Sequence, residues 1–298
     1  MFAFDYRPPE VVAEIGCNHM GSLDIAKELI ELARLSGVQH VKFQKRTVRE
    51  LLSPDEYAAP HPNPRNSFGD SYGEHREFLE FDQAQHAELQ QFCRENGLDY
   101  STSVWDVTAA REIAALAPTG IKVPSACNND LELLEVLRDE YDGMVHVSFG
   151  MTTHAEERRV VELFEGKGQA RDRLHVYACT SGYPVPFEDV ALLEINRLYE
   201  AYGDRVHSVC FSGHHLGIAV DVAAYALGAR WIERHFTKDR TWKGTDHAAS
   251  LEPTGLQKLV RDLHATHKAL TRKDTEILEI EQEQREKLKH VAAPTVTS

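Results

Sequence analysis

Two lysines and two histidines are the side chains in this sequence best placed to do chemistry. Lys42 and Lys122 each sit inside a short apolar run, HVKFQ and GIKVP. An ammonium group is costly to bury without a partner. A bound phosphate or carboxylate would neutralise both lysines, and so would a carboxylate of the chain itself, for instance Glu14. Thr102, Ser125, Ser148, Ser181 and Ser212 recur near the same strand ends, where their hydroxyls can donate to anion oxygens. His214 and His235 close two successive strands, so both imidazoles can reach one point. Two neutral histidines, with a carboxylate or water completing the shell, suit a mid-series divalent ion such as Mn²⁺ better than structural zinc. Mg²⁺ or Co²⁺ are the alternatives. The plain structural reading is a pair of hydrogen-bonded core histidines.

These residues need a scaffold that brings distant parts of the chain to one rim. Short apolar strands alternate with amphipathic helices along the sequence. Strands are expected near 11–15, 40–44, 99–103, 120–124, 143–148, 174–179, 207–211 and 230–235. Helices are expected from Ser22 to Gly37, from Asp82 to Gly97, and near 107–115, 131–140, 154–165, 189–202, 218–227 and 253–270. Ser22 reads as an N-cap, Asp82 with Gln85 as a capping box, and Pro253 as a first-turn proline. Repeated alternation demands parallel strands joined by crossovers. Eight units favour a single-domain (β/α)₈ TIM barrel over 1–270, with a doubly wound open sheet as the alternative. Residues 47–81, rich in Pro, Asn, Gly and charge, are too long for an ordinary connection and are expected over the active face. Residues 271–298 read as a charged tail, with a peripheral helix that then frays.

In such a barrel, catalytic groups sit where strands end. Those positions carry Glu14, Lys42 and Gln44, Ser101 to Ser103, Lys122 and Ser125, Ser148, Cys179 to Tyr183, Ser212 to His215, and Glu233 with His235. A purely structural barrel has little reason to place polar groups at every strand end.

Bulk properties exclude several classes. The 298 residues are 42% hydrophobic and 27% charged, the mix of a folded domain with a large core. Thirty-three Lys and Arg against 47 Asp and Glu give a net charge of −14. That balance argues against nucleic-acid or anionic-membrane partners. It also requires any anionic substrate to find a local positive site. No apolar run reaches the roughly 20 residues of a membrane span, and the start lacks signal-peptide character, so a cytoplasmic location is expected. Cys17, Cys93, Cys127, Cys179 and Cys210 are scattered, as expected of reduced thiols.

The stretches AEIGCNHMGSLDIAKELIELA, VKFQ, STSVWD, IKVPSACNNDLELLE, SFGM, CTSGYPVPFEDVALLEI, FSGHHLGIAVDVAAYALGARWIERHFT and GTDHAASLEP occur in this order. Together they resemble the sialic acid (N-acetylneuraminate and nonulosonate) synthases and their spore-coat relatives. The resemblance implies condensation of phosphoenolpyruvate with an open-chain aldose, N-acetylmannosamine-like or related, to give a 3-deoxy-2-ulosonic acid and phosphate. It implies a divalent metal on His214 and His235, and a homodimer. Lys42, Thr102, Lys122, Ser125, Ser148, Ser181 and Ser212 would form the phosphoenolpyruvate cradle. Tyr183 and Asp246 would contact the sugar or move protons, and Glu14 and Glu233 would be the active-site carboxylates. The alternatives are another 3-deoxy-ulosonate synthase, using a phosphorylated or unacetylated aldose, and a non-catalytic sugar-binding barrel.

The sequence departs from that family at three places. Ser125-Ala126-Cys127 stands where Ser-Gly-Glu is usual, replacing a sugar-side carboxylate with a thiol that is expected to be packed rather than reactive. Ser212-Gly213-His214-His215 stands where Ser-Asp-His-Thr is usual, and His215 is expected to take over part of the acid's role. The small C-terminal domain that supplies an arginine to the sugar's acyl group has no counterpart within these 298 residues. A different aldose is therefore expected.

Overall fold

The structure is a computed structural model, and it describes residues 6–290. Eight strands close into one barrel in chain order, with every neighbouring pair parallel. They are β1 (Glu10–Gly16), β2 (His40–Lys45), β3 (Asp99–Val104), β4 (Gly120–Val123), β5 (Met144–Ser148), β6 (Leu174–Cys179), β7 (Ser208–Gly213) and β8 (Trp231–His235). The crossover helices are α1 (Leu23–Leu35), α5 (Gln83–Glu95), α6 (Val107–Ala114), α7 (Leu131–Asp139), α8 (His154–Glu165), α10 (Glu194–Tyr202), α11 (Ala219–Ala226) and α12 (Pro253–Ala269). The short α2 (Val48–Leu51), α3 (Pro54–Ala58), α4 (Tyr72–Leu79) and α9 (Ala170–Arg173) lie between them, and α13 (Glu279–Leu288) follows.

The helix starts follow local chemistry. Ser22 caps α1 by accepting from the Ile25 amide, and Asp82 and Gln85 form a reciprocal capping box on α5. The helix expected over 189–202 begins only at Glu194. A 3₁₀ turn at Phe187–Asp189 precedes it, and Ala191 at φ +50° breaks the path between the two.

Alternation along each strand divides the molecule. One set of side chains, including Val11, Ala13, Ile15, Val41, Phe43, Ile121 and Val123, is fully buried against the helices. Each such valine, isoleucine or phenylalanine contributes about 1.5–3 kcal/mol of hydrophobic stabilisation. The other set fills the barrel interior. Lys42 is in register with Glu14 and Ser101, Lys122 with Ser103 and His146, and Glu233 with Ser212.

Below these charged groups, imidazoles and an indole plug the N-terminal end of the barrel. The His146 and His175 rings stack at 4.3 Å and 9°, and Trp231 packs 5.0 Å from His146 and 5.5 Å from His175. Burial, the largest cause, holds both histidines well below the ordinary imidazole value, so the plug is uncharged. A cavity of about 210 Å³ lies on this side, walled by His40, His146 and Trp231 and roofed by Lys42, Lys122 and Glu233.

Residues 47–81 are not an open loop. They fold into α2, α3, α4 and a 3₁₀ turn at Pro64–Asn66, with complete capping boxes at Ser53 and Ser71. None of the residues of α13 is buried. The expected fraying of 292–298 lies outside the described residues. All five cysteines are free. No helix among the described residues is long and apolar enough to cross a membrane.

Candidate active site

The C-terminal mouth of the barrel opens into a cavity of about 290 Å³. Its floor is a four-membered charge cluster. Lys42 forms an ion pair with Glu14 and lies 3.8 Å from Glu233, while Lys122 Nζ donates to Glu233 Oε1 at 2.7 Å. All four side chains are at least nine-tenths buried. Both readings of the lysines are thus joined in one place: they have carboxylate partners, and they also face a cavity. Lys42 further donates to Ser103 Oγ at 2.7 Å, and Lys122 lies 4.3 Å above the Tyr177 ring. Burial pushes the Glu233 carboxyl up, but Lys122 and Lys42 outweigh it and bring it to about 2. Gln44 Nε2 donates to Glu14 Oε1 at 2.7 Å, which fixes the second carboxylate. Gly16 at φ +54° allows this contact, since a Cβ there would stand 2.8 Å from Gln44 Nε2.

Hydroxyls ring the cavity wall. Ser125, Ser148, Ser181 and Ser212 all line it. Ser212 Oγ donates to Glu233 Oε1 at 3.3 Å, and Ser125 Oγ accepts from the Gly150 amide at 3.0 Å. Among the described residues, the buried Ser148 Oγ has no hydrogen-bond partner, so it is a free donor to anything that enters. Gly150 keeps the wall open: a Cβ there would meet Ser181 Oγ at 2.5 Å and Ser125 Oγ at 2.7 Å.

His214 and His235 share the same rim, with ring centroids 5.4 Å apart. His214 Nδ1 donates to the Thr180 carbonyl at 3.0 Å, leaving Nε2 as a lone-pair donor. Burial, and then His235, hold His214 down at about 3, so it is neutral at ordinary pH. His235 Nδ1 is buried without a hydrogen-bond partner among the described residues and stands 3.9 Å from Asp246 Oδ2. Two imidazole nitrogens beside a carboxylate fit a divalent cation completed by water or substrate oxygens. Among the described residues, no group of three or more His, Cys, Asp or Glu makes a closed cation site. Tyr183 covers this edge, its half-exposed ring 4.4 Å from His214.

The chain is similar to known proteins over most of its length. The family model described as "NeuB family" matches residues 29–275. Human N-acetylneuraminate-9-phosphate synthase is 36% identical over 282 residues, covering 95% of this chain and 77% of that protein. The chain belongs to the NeuB family. N,N'-diacetyllegionaminic acid synthase of Campylobacter jejuni is 31% identical, covering 87% of this chain and 77% of that protein. The sialic acid synthetase of Leptospira borgpetersenii, solved with citrate, superposes with a TM-score of 0.79 at 26% identity, covering 96% and 94% of the two chains.

Within this NeuB barrel, three residues expected at the site do not line the main cavity. Thr102 is fully buried on the outer side of β3, where its hydroxyl donates to Tyr100 Oη at 2.5 Å. Its neighbour Ser103 faces the cavity and holds Lys42. Strand alternation is the physical reason, because Ser101 and Ser103 share the inward parity of Lys42 and Gln44. His215 does not replace the missing acid beside His214. It turns into the helix layer, its Nε2 3.0 Å from Arg234 Nη1 and 3.3 Å from Asp221 Oδ2. Asp246 does not line the main cavity and faces it only through His235. Glu14, Lys42, Lys122, Ser125, Ser148, Ser181, Tyr183, Ser212, His214, Glu233 and His235 do come together there. Cys127 is a packed thiol, pushed by burial to about 11. Trp105, Met151 and Cys179 also line the site. Of these, Cys179 already stands among the strand-end positions of the sequence, at the parity of Tyr177 on β6.

Proposed function

We propose that this NeuB barrel condenses phosphoenolpyruvate with an open-chain aldose, giving a 3-deoxy-2-ulosonic acid of the sialic acid type and inorganic phosphate. The observation that carries the reading is the paired Lys42–Glu14 and Lys122–Glu233 floor, ringed by serine hydroxyls and opening beside His214 and His235. Phosphoenolpyruvate carries a carboxylate and a phosphate. Two buried ammonium groups and the free Ser148 hydroxyl can hold both ends in one orientation.

The reaction balances as follows. C3 of the enol forms a bond to the aldehyde carbon, and the aldehyde oxygen takes a proton. Positive character at C2 is met by one water, which loses a proton to the wall. The bond between C2 and the oxygen bridging to phosphorus then breaks, the C2 hydroxyl gives its proton to the departing phosphate, and C2 becomes the ketone. Glu14, held by Lys42 and Gln44, and Glu233, held by Lys122, are the carboxylates available to move that proton. The lysines offset charge on the departing phosphate. Tyr183, against His214, would contact the sugar chain, and Asp246 would act on it only through His235. His214 and His235 would hold the divalent ion, Mn²⁺ foremost, whose contribution when bound is Lewis-acid polarisation of the aldehyde oxygen.

A panel of aldoses offered with phosphoenolpyruvate and Mn²⁺, followed by phosphate release, tests the reading. The expected result is release that depends on one acceptor class. Phosphoenolpyruvate binding without turnover on any aldose would favour the non-catalytic sugar-binding alternative.

A further inference from the structure

The main cavity does not end at its rim. Trp105 and Ala126 also wall a second cavity of about 250 Å³, bounded by Arg46, Leu52, Tyr72, Arg76 and Cys127. Most of this wall comes from the end of β2 and from the helices of residues 47–81. Its two guanidinium groups differ in how they are matched. Arg46 is buried, stacks 3.9 Å from the Trp105 ring and pairs with Glu80 at 3.0 Å. Arg76 is half-buried and donates through Nε and Nη2 to the Tyr72 hydroxyl, at 3.0 and 2.9 Å. Among the described residues, no carboxylate lies within ion-pairing distance of Arg76.

The rest of the wall adds no negative charge that would repel an anion. Cys127 is neutral, and it stands where the family resemblance leads one to expect a glutamate. The cavity is also close to the reacting end of the site. Trp105 and Ala126 form a common wall between it and the cavity that holds Lys122, His214 and His235. In a protein of net charge −14, an unmatched guanidinium beside the mouth of an active site is a local attractor for anions.

We propose that this second cavity is the subsite for an anionic group at the far end of the aldose acceptor, a phosphate monoester or a carboxylate, with Arg76 as its principal ligand. The inference rests on the condensation proposed above and specifies the acceptor class. The planar guanidinium fork matches either anion through two parallel hydrogen bonds. Trp105 and Tyr72 supply flat apolar walls for the sugar chain.

Calorimetric titration of the intact protein with an N-acetylated hexosamine, its 6-phosphate and its 6-carboxylate tests the subsite directly. The 6-phosphate or the 6-carboxylate is expected to bind about ten- to a hundredfold more tightly than the parent sugar, and the stronger of the two identifies the anion. Arg76→Gln should reduce that preference to within about threefold, and Arg76→Lys should retain part of it. Circular dichroism melts establish that each variant is folded. Equal affinity for all three sugars, or an undiminished preference in folded Arg76→Gln, would overturn the proposal. Phosphate release from phosphoenolpyruvate, assayed on the same samples, separates the two claims. An Arg76-dependent preference without turnover sustains the subsite and rejects the condensation. Turnover of the parent sugar without any preference does the reverse.

Discussion

Replacing Lys122 with methionine removes an ammonium while keeping an unbranched side chain of similar length. Lys122 Nζ lies 2.7 Å from Glu233 Oε1, and in the variant Glu233 keeps only Lys42, at 3.8 Å, among the described cations. The present pairing brings the Glu233 carboxyl from 4.5 to about 2 against the effect of burial. That difference corresponds to roughly 3 kcal/mol, in line with the roughly 3–5 kcal/mol lost when one partner of a buried pair is removed. A carboxyl that is a stronger acid when folded contributes fully above its unfolded value near 4.5, and the contribution fades as the pH falls towards 2. Lys122→Met should therefore be less stable by about 3–5 kcal/mol at pH 7, with the gap narrowing below pH 4.5. Adding Glu233→Gln removes the orphaned charge and should restore part of the loss. Losing one buried cation should also weaken phosphoenolpyruvate binding about 30-fold to several thousandfold. Urea unfolding at several pH values and calorimetric titration with phosphoenolpyruvate read the two effects. Binding within about threefold of the parent protein, together with unchanged unfolding, would refute the assignment of Lys122 to both roles.

Three further outcomes are expected. Ser103→Ala should raise the KM for phosphoenolpyruvate about fivefold or more through loss of the Lys42 contact, whereas Thr102→Val should cost about 1 kcal/mol of stability and leave that KM in place. Steady-state kinetics with thermal melts tell these apart. Gly150→Ala places a methyl 2.5 Å from Ser181 Oγ and 2.7 Å from Ser125 Oγ, so kcat/KM should fall at least about tenfold for about 1–3 kcal/mol of strain. His214→Ala should abolish saturable Mn²⁺ binding in a calorimetric titration and with it metal-dependent turnover; full activity after that change and chelation would reject the metal role.

Much of this was legible in the sequence, for a reason visible in single strands. The run HVKFQ already shows His40, Lys42 and Gln44 on one parity and Val41 and Phe43 on the other, which is what a barrel wall facing a polar interior requires. The same rule, applied to STS in β3, would have chosen Ser101 and Ser103 over Thr102. His215 was misplaced for a related reason, since it follows His214 and therefore faces the opposite layer, where Arg234 and Asp221 wait. Arg46, Arg76 and Trp105 were not legible, because their approach depends on how residues 47–81 pack over the rim. Proline- and glycine-rich composition marks such a segment as a connection but does not say that serine caps fold it into helices. The imidazole plug was missed because sixteen histidines make chance placements common, and only the closed sheet reveals that His146 and His175 stack.

The claim everything turns on is that carbon attack at C3 of phosphoenolpyruvate is followed by rupture of the C2–O bond in this cavity. Phosphoenolpyruvate carrying ¹⁸O at the bridging position, turned over with the active aldose and Mn²⁺, reports that bond by mass spectrometry of the released phosphate. The account predicts that the label leaves with phosphate while the keto oxygen of the product comes from water. Unlabelled phosphate, with ¹⁸O kept on carbon, would contradict it.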